Sequence, residues 1–268
     1  MQIQIGADPE FFLKRKGSFI NAHAMVPGTK AAPHPVEDGA VQVDGMALEF
    51  NINPADKPEL FVQNINSVLG QLRDMIPEDF DFAFEAVAHF DKAYMDEQPK
   101  ESLELGCDPD FDAYSDSQNC QPDHTIPMRT AAGHVHIGWR EGESDAQHMA
   151  ECQAIVKQLD YILGVPSLVI DRNIERREMY GKAGCYRPKP YGTEYRVLSN
   201  FWLQSPALME WVFNSTKQGV DMLVDHGVSL FEKFGETARD IINNDDHEEA
   251  ARLLDSDLSP YVNMRGVQ

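Results

Sequence analysis

An α+β fold is predicted by three observations. Stretches of period-two alternation, the mark of strands, recur at residues 2–13, 41–54, 80–90 and 131–139 and again around 194–197. Stretches with apolar residues at helical spacing lie between and after them, at 56–75, 144–163 and 205–222. The apolar content is that of an ordinary globular protein, and 268 residues can bury a real core. One domain over residues 1–268 is expected, with 91–130 an irregular loop region and 236–268 a helical tail.

The first strand contains Gly6-Ala-Asp-Pro-Glu-Phe11 and returns through Phe19-Ile20 after a charged turn at 14–17. Asp8 and Glu10 are two apart, so in a strand both carboxylates share a face. Pro9 between them cannot donate to a ladder and implies an edge or an irregularity. After a Pro/Gly-rich connection, Leu48-Glu49-Phe50 places a carboxylate inside a run otherwise suited to a sheet. That is costly unless the carboxylate is paired or binds a metal. Asp56-Lys-Pro-Glu59 reads as a capping box opening a core helix to about Met75. Residues 80–90 read as one further strand.

Gly133-His-Val-His-Ile-Gly138 sets His134 and His136 on one strand face, a pairing that suits a metal or phosphate site better than core packing. Ser144-Asp-Ala-Gln147 caps the next helix, and Ser205-Pro206 opens another. Residues 181–202 mix turn-forming Gly and Pro with Lys182, Arg187 and Lys189, then present Glu194-Tyr-Arg196 in an apparent strand. An acid and a guanidinium aimed into one space suit a metal-bound phosphate, although a plain salt bridge would place them alike.

Charge narrows the function. Forty-four acids against 23 bases give a net charge of −21, which repels nucleic acid and anionic membrane. Within so acidic a chain, Arg172, Arg176, Arg177, Lys182, Arg187, Lys189 and Arg196 crowd into one span, as an anion subsite requires; neutralising Asp171, Glu175, Glu178 and Glu194 would require the same. Four cysteines without Cys-x-x-Cys spacing fit a reducing compartment rather than a disulfide framework or zinc knuckle. No signal peptide or membrane-length apolar run is visible, so a cytoplasmic location is expected.

Taken in order, Gly6-x-Asp8-x-Glu10, Leu48-Glu49-Phe50, Gly133-His-Val-His136 and Glu194-Tyr-Arg196 resemble the glutamine synthetase and glutamate-cysteine ligase superfamily. Gly106-Cys-Asp-Pro-Asp-Phe111 and the stretch from Arg176 to Trp202 resemble more closely its phage-type COOH-NH2 ligases, or amidoligases. The resemblance spans roughly residues 1–215. It implies a curved antiparallel sheet forming a funnel, with helices packed outside and ATP bound with Mg²⁺ or Mn²⁺. Asp8, Glu10, Glu49, His134 and Glu194 would match the family's metal positions, Asp8 being one methylene shorter than the usual Glu. Arg196, Arg187 and Glu194 would act in catalysis, and His136, Arg176, Arg177, Lys182 and Lys189 would contact the nucleotide. The implied partners are a small-molecule or peptide carboxylate and an amine, in the host cytoplasm for a phage-encoded chain.

Two other readings compete. His134-x-His136 with Glu141 imitates a cupin metal box, but Tyr195 stands where that box needs a histidine. A non-catalytic phage interaction protein that kept the fold should have lost its metal acids, and Glu10, Glu49 and Glu194 are all present.

Overall fold

The computed structural model describes residues 2–103, 110–119, 126–140, 145–264 and 267. The strands are β1 (Gln4–Arg15), β2 (Ser18–Ile20), β3 (His34–Val36), β4 (Gly39–Asp44), β5 (Ala47–Ile52), β6 (Asp81–Ala83), β7 (Val87–His89), β8 (Phe111–Asp112), β9 (Ser117–Gln118), β10 (Met128–Thr130), β11 (Gly133–Gly138), β12 (Cys185–Lys189) and β13 (Gly192–Tyr195). The α-helices are α1 (Pro58–Met75), α2 (Lys92–Asp96), α3 (Lys100–Leu103), α4 (Ala146–Leu159), α5 (Val165–Ile170), α6 (Ile174–Met179), α7 (Pro206–Val224), α8 (Leu230–Phe234), α9 (Thr237–Asn243) and α10 (His247–Asp255). Mixed helix and antiparallel sheet make this an α+β architecture. No helix among the described residues is long and apolar enough to cross a membrane.

The main sheet runs β3-β4-β5-β1-β11-β13-β12-β8-β9, with β2 and β6 pairing the far end of β1 and every neighbour antiparallel. Parity along the strands decides what each face does. Ile5, Ala7, Phe11 and Leu13 of β1, Leu48 and Phe50 of β5, and Val135 and Ile137 of β11 join one core with Phe61, Ile65 and Val68 of α1, Leu159 of α4 and Val212 of α7. The alternate residues, Gly6, Asp8 and Glu10 on β1 and His134 and His136 on β11, therefore face away from the helices. A smaller apolar cluster of Phe12, Met46, Ala83, Ala88, Phe90 and Met95 closes the far end of β1.

Several local expectations are refined or change. Of the edge or irregularity expected at Pro9, the irregularity occurs, in the central strand. The Glu10 amide donates to the Ala132 carbonyl at 2.8 Å on the β11 side, so the Pro9 nitrogen points the other way, where pairing with β5 starts only at Glu10↔Glu49. The missing donor thus falls in a gap of the ladder. The first helix is capped at Lys57 with Pro58 as its first residue, and no side chain caps it, so Asp56 and Glu59 form no capping box. Residues 80–90 form two strands in different sheets, since β6 pairs β1 while β7 pairs β10. The 144–163 helix is capped by Asp145, whose side chain accepts from the His148 amide, and leaves α-helical geometry in a π turn at Asp160–Gly164. The 91–130 region contains α2, α3, β8, β9 and β10. Residues 106–109 of the second Asp-Pro motif, Cys107, Cys120, Glu141 and Ser144 lie outside the described residues.

Candidate active site

The strand registers draw a grid on the face away from the helices. Glu49 stands opposite both Gln42 and Glu10, Asp8 opposite His134, His136 opposite Gly6 and Glu194, and Glu194 opposite Arg187. Strands β1, β5, β11, β12 and β13, with the residue that follows β13, thus bring Asp8, Glu10, Glu49, His134, His136, Arg187, Lys189, Glu194 and Arg196 to one side of one sheet. Most of them line a cleft of about 980 Å³, within the range of small-molecule sites, and an inner chamber of about 90 Å³ beneath it. The mouth carries Trp139, Arg140, Lys189 and Tyr191; the inner chamber is lined by Glu10, Asp44, Glu49, His134, Tyr180 and Arg196, among others.

Glu194 is fully buried and is the anionic hub. Lys189 Nζ lies 2.8 Å from it, Arg187 Nη1 lies 3.3 Å away, and Arg196 is in direct contact. Burial and the nearby Asp8 charge push the Glu194 carboxyl up, but Arg196, His136 and His134 more than reverse this and hold it well below the usual range. Arg196 is fixed in turn. Its Nε donates to Asp110 Oδ2 at 3.2 Å, its Nη1 lies 3.3 Å from His134 Nδ1, and its Nη2 donates to the Tyr180 hydroxyl.

The other carboxylates repel one another. Glu10, which accepts from the Ala132 amide at 3.0 Å, is raised to about 7 by burial and by Asp44. Glu49, bonded by Gln42 Nε2 at 2.5 Å, is raised well above the usual range by burial and by Asp8, Glu10 and Asp44. Asp8 goes the other way: burial would raise it, but His136 and His134 outweigh that and hold it low. Burial depresses the His134 imidazole to about 4 and keeps it neutral. For His136 the Asp8 charge overcomes burial and raises its value.

Three buried atoms at this point have no hydrogen-bond partner among the described residues: Asp8 Oδ1, His134 Nε2 and His136 Nε2. His136 Nε2 lies 2.9 Å from Asp8 Oδ1, close enough for an ion pair but without the alignment of a hydrogen bond. One ligand atom from each of Asp8, His136 and Glu194 falls within 4.8 Å of the others, a set that could hold a metal ion. His134 Nδ1 is 3.4 Å from both Asp8 and Glu194. Buried ligand atoms without an aligned hydrogen bond, beside crowded carboxylates, fit a hard divalent cation.

Arg176, Arg177 and Lys182 are not brought to the cleft. Arg176 donates to the Val197 and Leu198 carbonyls at 2.8 and 2.7 Å, bracing the segment after β13. Arg177 pairs with Asp245 at 2.7 Å, and Lys182 donates to the Asn243 carbonyl at 3.2 Å. Their cationic groups hold the C-terminal helices and the chain after β13. Sequence reasoning gave no role to Lys30, Asp44, Tyr180 or Tyr191. Only Tyr180 and Tyr191 carried a signal, through their nearness to the Gly/Pro-rich stretch.

In a comparison with known families, residues 126–232 fit the profile described as Phage phiEco32-like COOH.NH2 ligase-type 2. This supports a ligase family. The match covers less than half of the chain, and no curated protein sequence matches. The matched segment contains both histidines, Arg187, Lys189, Glu194 and Arg196. Asp8, Glu10 and Glu49 lie outside it and reach the same site through the fold alone.

Proposed function

We propose that the cleft is the active site of an ATP-dependent carboxylate-amine ligase that forms an amide or peptide bond through an acyl phosphate. The observation that carries the proposal is the register grid. Carboxylates from β1, β5 and β13 meet cations from β12 and the end of β13 on one sheet face, in a chain whose matched segment is similar to a ligase. A glutamine synthetase-like sheet, ATP and Mg²⁺ or Mn²⁺ belong to the same proposal.

The chemistry explains why both charges are needed. A carboxylate is a poor acyl donor, so its oxygen first takes the γ-phosphoryl group of ATP and releases ADP. The amine nitrogen then attacks the acyl carbon, the bond from carbon to the phosphate oxygen breaks, phosphate leaves, and the nitrogen gives up a proton. Arg187 and Lys189, at the cleft wall, bind phosphate oxygens. Arg196, held by Asp110 and Tyr180, presents its planar fork to charge on the transferring group. Asp8, His136 and Glu194 would hold one divalent ion, and Glu10 and Glu49 offer oxygen ligands for another, with the His134 Nε2 beside them. The chemistry such ions supply is neutralisation of phosphate charge.

The cupin-like alternative is not favoured. Tyr195, at the position of the missing histidine, belongs to the helix-side core, and its hydroxyl donates to Asp160 at 2.8 Å. An interaction protein with no catalytic role would have no use for this buried acid set. The proposal is tested by incubating the protein with ATP and Mg²⁺ or Mn²⁺ against pools of acids and amines, with mass detection of condensation products. ADP and phosphate formed only when a suitable carboxylate is present is the expected result. AMP and pyrophosphate would refute the acyl-phosphate route.

A further inference from the structure

The β12–β13 hairpin turns at Pro190-Tyr191, and its tip is fixed from several sides. The Tyr191 carbonyl accepts from the Trp139 and Arg140 amides at 2.9 and 3.2 Å, just past the end of β11. His148, buried on α4, has Nε2 2.8 Å from the Lys189 carbonyl, and the Cys152 thiol lies 3.5 Å from the Gly192 carbonyl. A Cβ at residue 192 would meet the Ile137 carbonyl at 1.9 Å, so only glycine permits this close approach of β13 to β11. The Tyr191 backbone is thus set by the sheet register, while its side chain stays 39% exposed at the cleft mouth.

From that position the Tyr191 hydroxyl reaches His136 Nδ1 at 2.5 Å, with the two ring centroids 6.1 Å apart. The other nitrogen of the same imidazole, Nε2, is the atom that points to Asp8 and lacks a hydrogen-bond partner. A ligating histidine usually has its second nitrogen held by a polar partner, which fixes both the ring orientation and the tautomer. We propose that Tyr191 is a positioning residue for the metal centre: its hydroxyl oxygen accepts from His136 Nδ1–H, which leaves the Nε2 lone pair free and directed at the ion held with Asp8 and Glu194. The inference rests on the reading of Asp8, His136 and Glu194 as a metal site and adds the residue that orients its histidine. It also gives the hairpin tip a function, because a ring carried on a loose loop could not hold the imidazole at a fixed angle.

The test uses Tyr191→Phe in the full-length protein, with Mn²⁺ as the probe. The residue is partly exposed and the ring is retained, so the fold should survive, and a thermal melt of the metal-free variant checks this. Titration followed by the paramagnetic Mn²⁺ signal should show affinity weakened about 10-fold or more, the usual effect of removing such a partner. In a His136→Asn background the same substitution should change affinity by less than about 2-fold, since no imidazole remains to be oriented. With saturating Mg²⁺, ¹⁵N shifts of His136 should report a proton on Nδ1 and a deprotonated Nε2 in the wild type, and at the same Mg²⁺ concentration the Nε2 shift of Tyr191→Phe should fall short of the wild-type value. Wild-type binding with unchanged affinity in Tyr191→Phe would overturn the orienting role alone. Failure of the wild type to bind Mn²⁺ would overturn the metal reading, and the orienting role with it.

Discussion

Glu194→Gln is the substitution that probes the anionic hub most directly. The amide keeps the side-chain volume and removes one charge, which leaves Arg187, Lys189 and Arg196 around a neutral group at a fully buried position. Deleting one partner of a buried pair costs about 3–5 kcal/mol, because the remaining charge loses its compensation. The Arg187 and Lys189 side chains keep 14% and 26% of their exposure, so water recovers part of that loss. The lower end, about 3 kcal/mol, is therefore expected, or a fall of about 6–10 °C in Tm for a chain of this size. The pH dependence has a definite sign. Since the folded carboxyl is held below its unfolded value, its contribution is complete above about pH 4.3 and is lost as pH falls. The gap between wild type and variant should accordingly narrow under acid.

Mn²⁺ separates the ion-pair role of Glu194 from the metal-ligand role proposed for it. At a concentration 100 times its Kd, an ion that binds only the folded state stabilises the wild type by about 2.7 kcal/mol. If Gln weakens the site about 100-fold, the same concentration gives the variant only about 0.4 kcal/mol. Calorimetric melts with and without Mn²⁺, over pH 3.5–8, measure both effects. Equal melting temperatures would show that the three cations do not depend on Glu194, and an equal response to Mn²⁺ would remove it from the metal site.

Two further substitutions address groups on opposite sides of the sheet. Arg196→Lys should leave Mn²⁺ affinity unchanged and slow turnover by about 10-fold or more, since an ammonium cannot reproduce the planar fork held by Asp110 and Tyr180; unchanged turnover would take Arg196 off the catalytic list. Asp160 is raised to about 7, chiefly by burial, so the folded state keeps its proton to higher pH than the unfolded chain does. Its stabilising contribution should be complete below about pH 4 and lost as pH rises through about 7, and Asp160→Asn should flatten that slope in urea unfolding between pH 4 and 8. An unchanged slope would mean that Asp160 does not titrate in this range.

What the sequence disclosed followed from local periodicity. Two-residue spacing placed Asp8 with Glu10, His134 with His136 and Glu194 with Arg196 on common faces, because side-chain direction in a strand is a local property. It did not reveal the partners that depend on long-range register: Asp110 on Arg196, Gln42 on Glu49, or Lys30 beside Asp44. The same limit explains the cation cluster. Arg176 and Arg177 lie near Arg187 in sequence, but α6 carries their guanidinium groups toward backbone carbonyls and Asp245. Nearness along a chain that turns from helix to hairpin says little about nearness in space. Pro9 was read as marking an edge or an irregularity, and it is the irregularity that occurs: an interrupted ladder in the centre of the sheet accommodates the missing donor.

The division of the site between the two halves of the chain bears on how it is assembled. The segment similar to the ligase family supplies β11, β12 and β13, hence the histidines, Arg187, Lys189, Arg196 and one acid, Glu194. Its face alone is dominated by cations. Asp8, Glu10 and Glu49 arrive only when β1 takes its place between β5 and β11, a pairing of residues more than a hundred positions apart. That pairing sets Asp8 beside both imidazoles and completes the set that fits a divalent ion. It also brings Glu10 and Glu49 into register opposite each other, where burial raises both carboxyls, with Asp44 adding to the shift of Glu10 and Asp8, Glu10 and Asp44 to that of Glu49. A sheet that aligns like charges in its interior gives up stability in the empty state and regains it when a cation binds. Building the site therefore requires the central β1 pairings, and under the metal reading proposed above, Mn²⁺ affinity would report whether β1 is seated.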